Sequence, residues 1–265
     1  MPIENAKRLL VFVAHPDDES IGCGVLVQRA TASLIVFAVD GAPPGYGFER
    51  RFGSLKNYSD TRFKEAGCAL ALANNCSFQR LDGQGGQYFP DRHLFNHLEE
   101  AANSLMAIAR TFQPDAIVSH SFEGGHIDHD ACFVLAVHVA QILHLNCFEF
   151  PLYWKDENGH DVFQEFRNPK GEEILLEPSV TEMAIKKKML AEYKTQRDML
   201  TVFSSAEERF RPARLPAGAR PAWRSRYPGN WRSWRDTKSA FRHFSEFLKN
   251  ARCADCGASI MKVRA

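Results

Sequence analysis

Residues 11–24 read VFVAHPDDESIGCG. An apolar run ends on His15 and Pro16, three acids follow as Asp17, Asp18 and Glu19, and a glycine-spaced segment comes after them. Neighbouring carboxylates repel one another, and an ionised carboxylate leaves water only at high cost unless it gains a partner. A positive charge is therefore expected at this point of the chain. The run itself, RLLVFVA over residues 8–14, is short, apolar and bounded by a turn, which reads as a buried strand. Residues 18–31 carry Ile21, Val25, Leu26 and Ala30 at helical spacing, and SLIVFAV over 33–39 is strand-like again. Strand, helix, strand in this compass is a βαβ unit with its two strands parallel.

The alternation continues outward. A Pro/Gly-rich loop over 41–53 leads to a helical pattern at 60–73, a candidate strand at 76–81, a glycine loop at 83–86 and a long helical pattern at 92–112. DAIVSH at 115–120 is a strand entering the loop SFEGG, followed by a helical stretch at 127–144 and a strand-like one at 146–152. This order predicts an α/β fold with an open, mostly parallel sheet flanked by helices. After Tyr153 the character changes: a polar hairpin or irregular excursion over 155–175, a lysine-bearing helix over 179–200, then residues 209–235 with eight arginines and no acid, and an amphipathic helix over 236–250. The expected organisation is a core over residues 1–200 and a C-terminal extension over 201–265, irregular and rich in Arg and Trp, packed on the same domain.

Composition removes several classes of function. Thirty-three basic against thirty-two acidic side chains leave a formal charge of +1, so no global attraction to nucleic acid or to a membrane surface follows. No apolar run is long enough to span a bilayer, and MPIENAKRLL lacks the apolar region of a secretory signal. Seven scattered cysteines suit free thiols in a reducing compartment, so a cytoplasmic location is expected.

In open α/β sheets, ligands bind at the carboxyl ends of the strands. Two such ends are loaded here: AHPDDE after the first strand, and EGGHIDHDA, residues 123–131, after the strand ending near His120. Together they offer His15, Asp17, Asp18, His126, Asp128 and His129. Imidazole and carboxylate suit zinc, which in catalytic sites takes three protein ligands and keeps one position open. One acid of the Asp pair could bind the metal while its neighbour serves as base, the cation offsetting their repulsion. Taken singly, either Asp17 or Asp18 reads as a cap of the following helix, and His126 and His129 as surface histidines at a loop-helix junction. Two histidine-acid clusters on two strand ends of one sheet favour the metal.

The pair AHPDDE and GGHIDHDA resembles the motifs of the PIG-L/LmbE-like family of zinc-dependent N-deacetylases, with similarity over roughly residues 8–152 and more weakly to about 200. The resemblance implies a Rossmann-like fold and removal of an acyl group, usually acetyl, from the nitrogen of an amino sugar or glycoconjugate, with one Zn2+ per chain. It implies His15, Asp18 and His129 as zinc ligands, Asp17 as general base, His126 as oxyanion stabiliser or proton donor, and Asp128 holding a histidine from behind. The charged form of His126 is expected from its nearness to Asp128. Arg62, in the run Arg62-Phe63-Lys64-Glu65, is expected to reach the substrate, and Asp82 to face the sugar. Some members carry a tyrosine two residues before the first histidine of the second motif; here that residue is Gly124, so no catalytic tyrosine is assigned.

The remaining signals are weaker. Trp223, Tyr227, Trp231 and Trp234 interleave with the arginines of 209–235. They read either as a substrate-shaping lid, with Trp231 and Trp234 binding substrate, or as scaffold whose Arg stems cover apolar surface. Cys253 and Cys256 form a CxxC pair without a second one, which reads as two free thiols. The Lys-rich helix ending in Tyr193-x-x-Gln196 is similar to one in family members, with no chemistry evident in the sequence. The expected partner is a small glycoconjugate, with no nucleic acid and no membrane span, and a homo-oligomer is admitted. Two other functions compete: a zinc amidohydrolase on a non-sugar or sugar-thiol amide, and a non-catalytic sugar-binding protein.

Overall fold

The structure, a computed structural model, describes residues 3–169, 171–215 and 242–250. Five strands run parallel: β1 (Arg8–Val13), β2 (Ala32–Phe37), β3 (Cys76–Arg80), β4 (Ala116–His120) and β5 (Asn146–Phe150), in the spatial order β3-β2-β1-β4-β5. A short hairpin, β6 (Tyr153–Lys155) with β7 (Asp161–Phe163), forms its own ribbon. Two antiparallel strands, β8 (Ile174–Leu176) and β9 (Glu208–Pro212), continue the main sheet beyond β5 and bring it to seven strands. The α/β expectation therefore holds, with an antiparallel edge added.

Side chains alternate across a strand, so β1 feeds two cores. Leu10, Phe12 and Ala14 join one apolar cluster, and Leu9, Val11 and Val13 join the other. Among the described residues, the α-helices in chain order include α1 (Asp18–Cys23), α2 (Leu26–Arg29), α3 (Phe48–Phe52), α4 (Leu55–Leu70), α5 (Leu98–Phe112), α6 (Ile127–Leu143), α7 (Val180–Glu192) and α8 (Arg197–Leu200), and residues 242–250 are helical as well. Residues of α5 and α6 belong to the first core; residues of α1, α2, α4 and α7 belong to the second. Both faces are thus covered, which is why β1 and β4 read as continuous apolar runs. Among the described residues, no helix is long and apolar enough to cross a membrane.

The chain leaves β1 towards β2 on one side, while β4 lies on the other side of β1. This reversal opens a crevice at the carboxyl ends of β1 and β4, the usual place for a ligand.

Two details differ from the sequence reading. The helix expected over 18–31 breaks after Cys23, because the Glu208 carboxylate takes the Val25 and Leu26 N–H groups at 2.7 and 3.0 Å. Glu208 is itself paired with Lys186 Nζ at 2.7 Å, both side chains fully buried. β9 lies in the core sheet, and Phe244 and Phe247 pack in the first core. The helix expected from residue 92 begins only at Leu98, after a short 3-10 turn at Leu94–Asn96. Gly22 has a packing reason: a Cβ there would meet the Phe150 ring at 2.2 Å, so only glycine lets α1 lie this close to β5. Trp231, Trp234, Cys253 and Cys256 lie outside the described residues.

Candidate metal centre

The loop after β1 turns sharply at Asp17, whose φ of 128° is a conformation that costs a non-glycine residue of order 1–3 kcal/mol. Its side chain makes no capping bond to α1, which disposes of the helix-cap alternative for Asp17. Instead Asp17 Oδ2 accepts from Arg62 Nη2 at 3.0 Å. Asp18 Oδ2 accepts the His15 backbone N–H at 2.8 Å, closing the loop on itself.

The loop after β4 is tied down by Asp130, whose Oδ1 accepts the N–H groups of Glu123 and Gly124 at 3.0 and 3.1 Å. A Cβ on Gly125 would lie 1.8 Å from the Tyr153 carbonyl oxygen, so this residue must be glycine for the loop to pass β6. His126 then caps α6 with its own ring: Nδ1 accepts the Asp128 N–H at 3.2 Å. His129 follows in the first turn of α6 and points its ring at the β1 loop.

The two loops meet in a buried cluster. His15 Nδ1 lies 3.2 Å from Asp18 Oδ2, His129 Nε2 lies 3.5 Å from the same oxygen, and the two ring nitrogens are 3.4 Å apart. A tetrahedral metal about 2.0–2.1 Å from its nitrogen and oxygen ligands spaces them about 3.3–3.4 Å apart. The three donors therefore already stand at the edges of a zinc coordination shell. His120 also approaches Asp18, at 3.3 Å, but its Nε2 accepts the Ala14 N–H at 3.0 Å and is occupied. Other groupings able to hold a cation overlap with this one: His15 with His126 and His129, His15 with Asp91, His126 and Asp128, and Asp18 with His120 and His129.

Burial sets the protonation states. It pushes His129 down to about 3, with the neighbouring His120 adding to the effect, so His129 is neutral, as a metal ligand must be. His15 is buried too, but Asp91 and Asp18 outweigh that and raise it well above the usual histidine range. Burial lifts Asp17 to about 8 against the pull of Arg62, and lifts Asp128 to about 7 with Asp91 beside it. The pocket thus gathers carboxylates whose mutual repulsion a cation would relieve.

The structure brings His15, Asp17, Asp18, His126, Asp128 and His129 together, and alters three expectations. Asp128 does not sustain a charged His126: its oxygens accept the Arg92 and Leu94 N–H groups at 2.5 and 3.2 Å and face His15 Nε2 at 3.8 Å. Burial, with His15 and His129 near, lowers His126 well below the usual range, so its ring is neutral with the proton on Nε2. Arg62 is buried, not extended towards a ligand; its guanidinium donates to Gly41 O, Pro16 O and Asp17. Asp82 is exposed in a groove with Phe63, Arg80 and Tyr88 and makes no hydrogen bond or ion pair to the cluster.

Sequence reasoning missed Asp91, 3.5 Å from His15 Nε2, and His120, stacked on His129 with ring centroids 4.0 Å apart. His120 ends the strand DAIVSH, and its position at a strand end was the available signal; Asp91 had none. It also missed Tyr153, whose ring meets His129 edge-on at 5.3 Å.

The profile of the family described as PIG-L: GlcNAc-PI de-N-acetylase matches residues 10–140. Over 150 residues the chain is 30% identical to a 1D-myo-inositol 2-acetamido-2-deoxy-alpha-D-glucopyranoside deacetylase of Thermobifida fusca, covering 47% of this chain and 51% of that protein. The chain spans about half the length of the curated relatives it matches. In fold it is similar to a deacetylase of the teicoplanin biosynthetic pathway, with TM-score 0.61, 17% identity and coverage of 77% of this chain and 97% of that one. It is likewise similar to the N,N'-diacetylchitobiose deacetylase of Pyrococcus horikoshii, with TM-score 0.56, 18% identity and coverage of 79% and 85%.

Proposed function

This chain carries a PIG-L family domain over residues 10–140, and from that premise we propose that it hydrolyses the N-acetyl amide of an amino sugar in a small glycoconjugate. The observation that carries the reading is the triangle of His15, Asp18 and His129 donors with a separate carboxylate, Asp17, held beside it by Arg62. His15, Asp18 and His129 would hold one zinc ion per chain. Bound there, zinc supplies the Lewis-acid charge that polarises an acyl carbonyl and makes water acidic near neutral pH.

The chain's own residues supply the proton transfers. Asp17 takes a proton from the attacking water; burial raises its carboxyl when no cation is present, and a bound cation would draw it back towards the ionised form that a base needs. Arg62 engages Oδ2 and fixes the carboxylate, leaving Oδ1 as the proton acceptor, so Arg62 is a positioning residue in this reading. His126 donates from Nε2–H as negative charge grows on the carbonyl oxygen, a role whose loss typically costs about 10²–10³ in rate. A neutral His126 has no second proton to give, so Asp17 returns the proton it took to the departing amine. Acetate and the free amino sugar result. Asp91 and Asp128 hold His15 from behind and fix its ring.

The test is a panel of N-acetylglucosaminyl conjugates, linked to inositol, to a second sugar or to a glycopeptide, incubated with zinc-loaded protein. Acetate and free amine should appear in equal amounts with at least one member. Zinc-loaded protein that yields neither product from any member contradicts the reading.

A further inference from the structure

Glu19 is the third acid of the opening stretch, and neither the metal donors nor the proposed proton transfers use it. It is fully buried. Oε1 accepts the Ser20 hydroxyl at 2.6 Å and the Tyr193 hydroxyl, and Oε2 accepts the Asp17 backbone N–H at 3.1 Å. Tyr193 is also fully buried, at the end of α7, far away in sequence. Its neighbours continue the same attachment: Thr195 donates to Glu65 through both N and Oγ1, at 3.0 and 2.6 Å, and Gln196 Nε2 donates to the Tyr58 hydroxyl at 2.8 Å. The stretch 193–196 therefore fastens the end of α7 to α4 and to the metal loop at once.

The contact to Asp17 falls where the backbone most needs it. Asp17 holds φ at 128°, a conformation that persists only when the surroundings impose it. Its N–H has Glu19 as partner, and its side chain has Arg62. A fully buried tyrosine hydroxyl is an expensive way to fill space, since phenylalanine would fill the same volume without a polar atom to satisfy.

We propose that Tyr193 and Glu19 form a positioning relay, in which the Tyr193 hydroxyl holds the Glu19 carboxylate and Glu19 holds the Asp17 backbone in the conformation that presents its carboxylate beside the metal donors. Tyr193 then sets turnover without touching substrate or metal. The inference rests on the reading of Asp17 as the base.

The experiment compares wild type with Tyr193→Phe, Glu19→Gln and Asp17→Asn in the full chain. Three quantities are read: zinc content, kcat and KM on a small N-acetylglucosamine glycoside, and hydrogen exchange of the Asp17 amide by NMR in metal-free protein. Tyr193→Phe and Glu19→Gln should bind zinc as wild type does and keep KM. Their kcat should fall by about 10–100-fold, the usual range for groups that orient a site from behind, and the Asp17 amide should exchange faster. If Glu19→Gln fails to fold, Tyr193→Phe decides alone, because it keeps the packed ring. Wild-type kcat and amide protection in Tyr193→Phe, with turnover lost in Asp17→Asn, overturns the relay alone. A kcat loss that merely follows zinc loss overturns it too. Wild-type turnover in Asp17→Asn overturns the reading of Asp17 and the relay together.

Discussion

A zinc site needs neutral imidazoles and an ionised carboxylate; burial makes His129 neutral, His129 and His120 hold Asp18 ionised against burial, and His15, kept protonated by Asp91 and Asp18, must release its proton to a cation. His129, pushed down to about 3 and stacked on His120, presents a lone pair at neutral pH. His129→Ala removes one corner of the donor triangle and should lower bound zinc from about one equivalent to a small fraction, as read by elemental analysis after dialysis. Its far-ultraviolet circular dichroism should stay that of wild type, since the ring is not part of either apolar core. Full zinc retention would move the metal to another donor grouping, of which His15, Asp91, His126 and Asp128 is the alternative set. Most of the cluster was legible because its residues sit in two short motifs at strand ends, where position follows from the chain order. Asp91 was not, because it lies in a loop without periodicity and is delivered by Asp128 binding the Arg92 and Leu94 amides. Arg62 differs for another reason: the resemblance implied that it reaches the substrate, whereas two backbone carbonyls and Asp17 draw its side chain inward.

At the scale of elements, α7 carries the attachment of the C-terminal part to the α/β core. Its start is a capping box, Ser179 Oγ accepting the Glu182 N–H at 3.3 Å while Glu182 Oε2 accepts the Ser179 N–H at 2.7 Å. Glu182 also receives Arg29 of α2 through two bonds, at 2.6 and 3.0 Å. Those bonds, Arg29 first and Ser179 next, hold the Glu182 carboxyl down to about 2 from an ordinary 4.5. A depressed carboxyl contributes stability that is fully present above its unfolded value and is lost as pH falls through the folded one. The window is therefore from about 4.5 down to about 2. Both side chains are partly open to water, at 35% and 20% exposure, so screening limits the pair to about 1 kcal/mol or less. Arg29→Met should lower the melting temperature slightly at pH 7 and flatten its decline between pH 5 and 2, measured by thermal melts across that range. Parallel wild-type and variant curves would show that the pair does not control this limb. The helix was expected from the sequence, over 179–200; its capping box emerges only in the structure. The bond to Arg29 was not, because it joins elements more than a hundred and fifty residues apart.

For the whole molecule, the strand order β3-β2-β1-β4-β5 places the ends of β1 and β4 side by side, and the chemistry follows from that adjacency. Apolar runs announced β1, β2 and β4 and their parallel pairing, since both sheet faces are covered there, whereas β3, CSFQR, is mostly exposed. The antiparallel edge of β8 and β9 was hidden, because the arginines of ERFRP suggest solvent, yet Arg211 pairs with the buried Glu149 and Phe210 packs in the second core. The central claim is that this sheet brings a zinc ion and the Asp17 base to one amide. It is tested most directly by acetate release from an N-acetylglucosaminyl conjugate, comparing wild type and Asp17→Asn at equal zinc occupancy. The account predicts that Asp17→Asn keeps its zinc and loses at least about 100-fold in turnover, the lower bound of what a general base contributes. Turnover within a few-fold of wild type in zinc-loaded Asp17→Asn would contradict it.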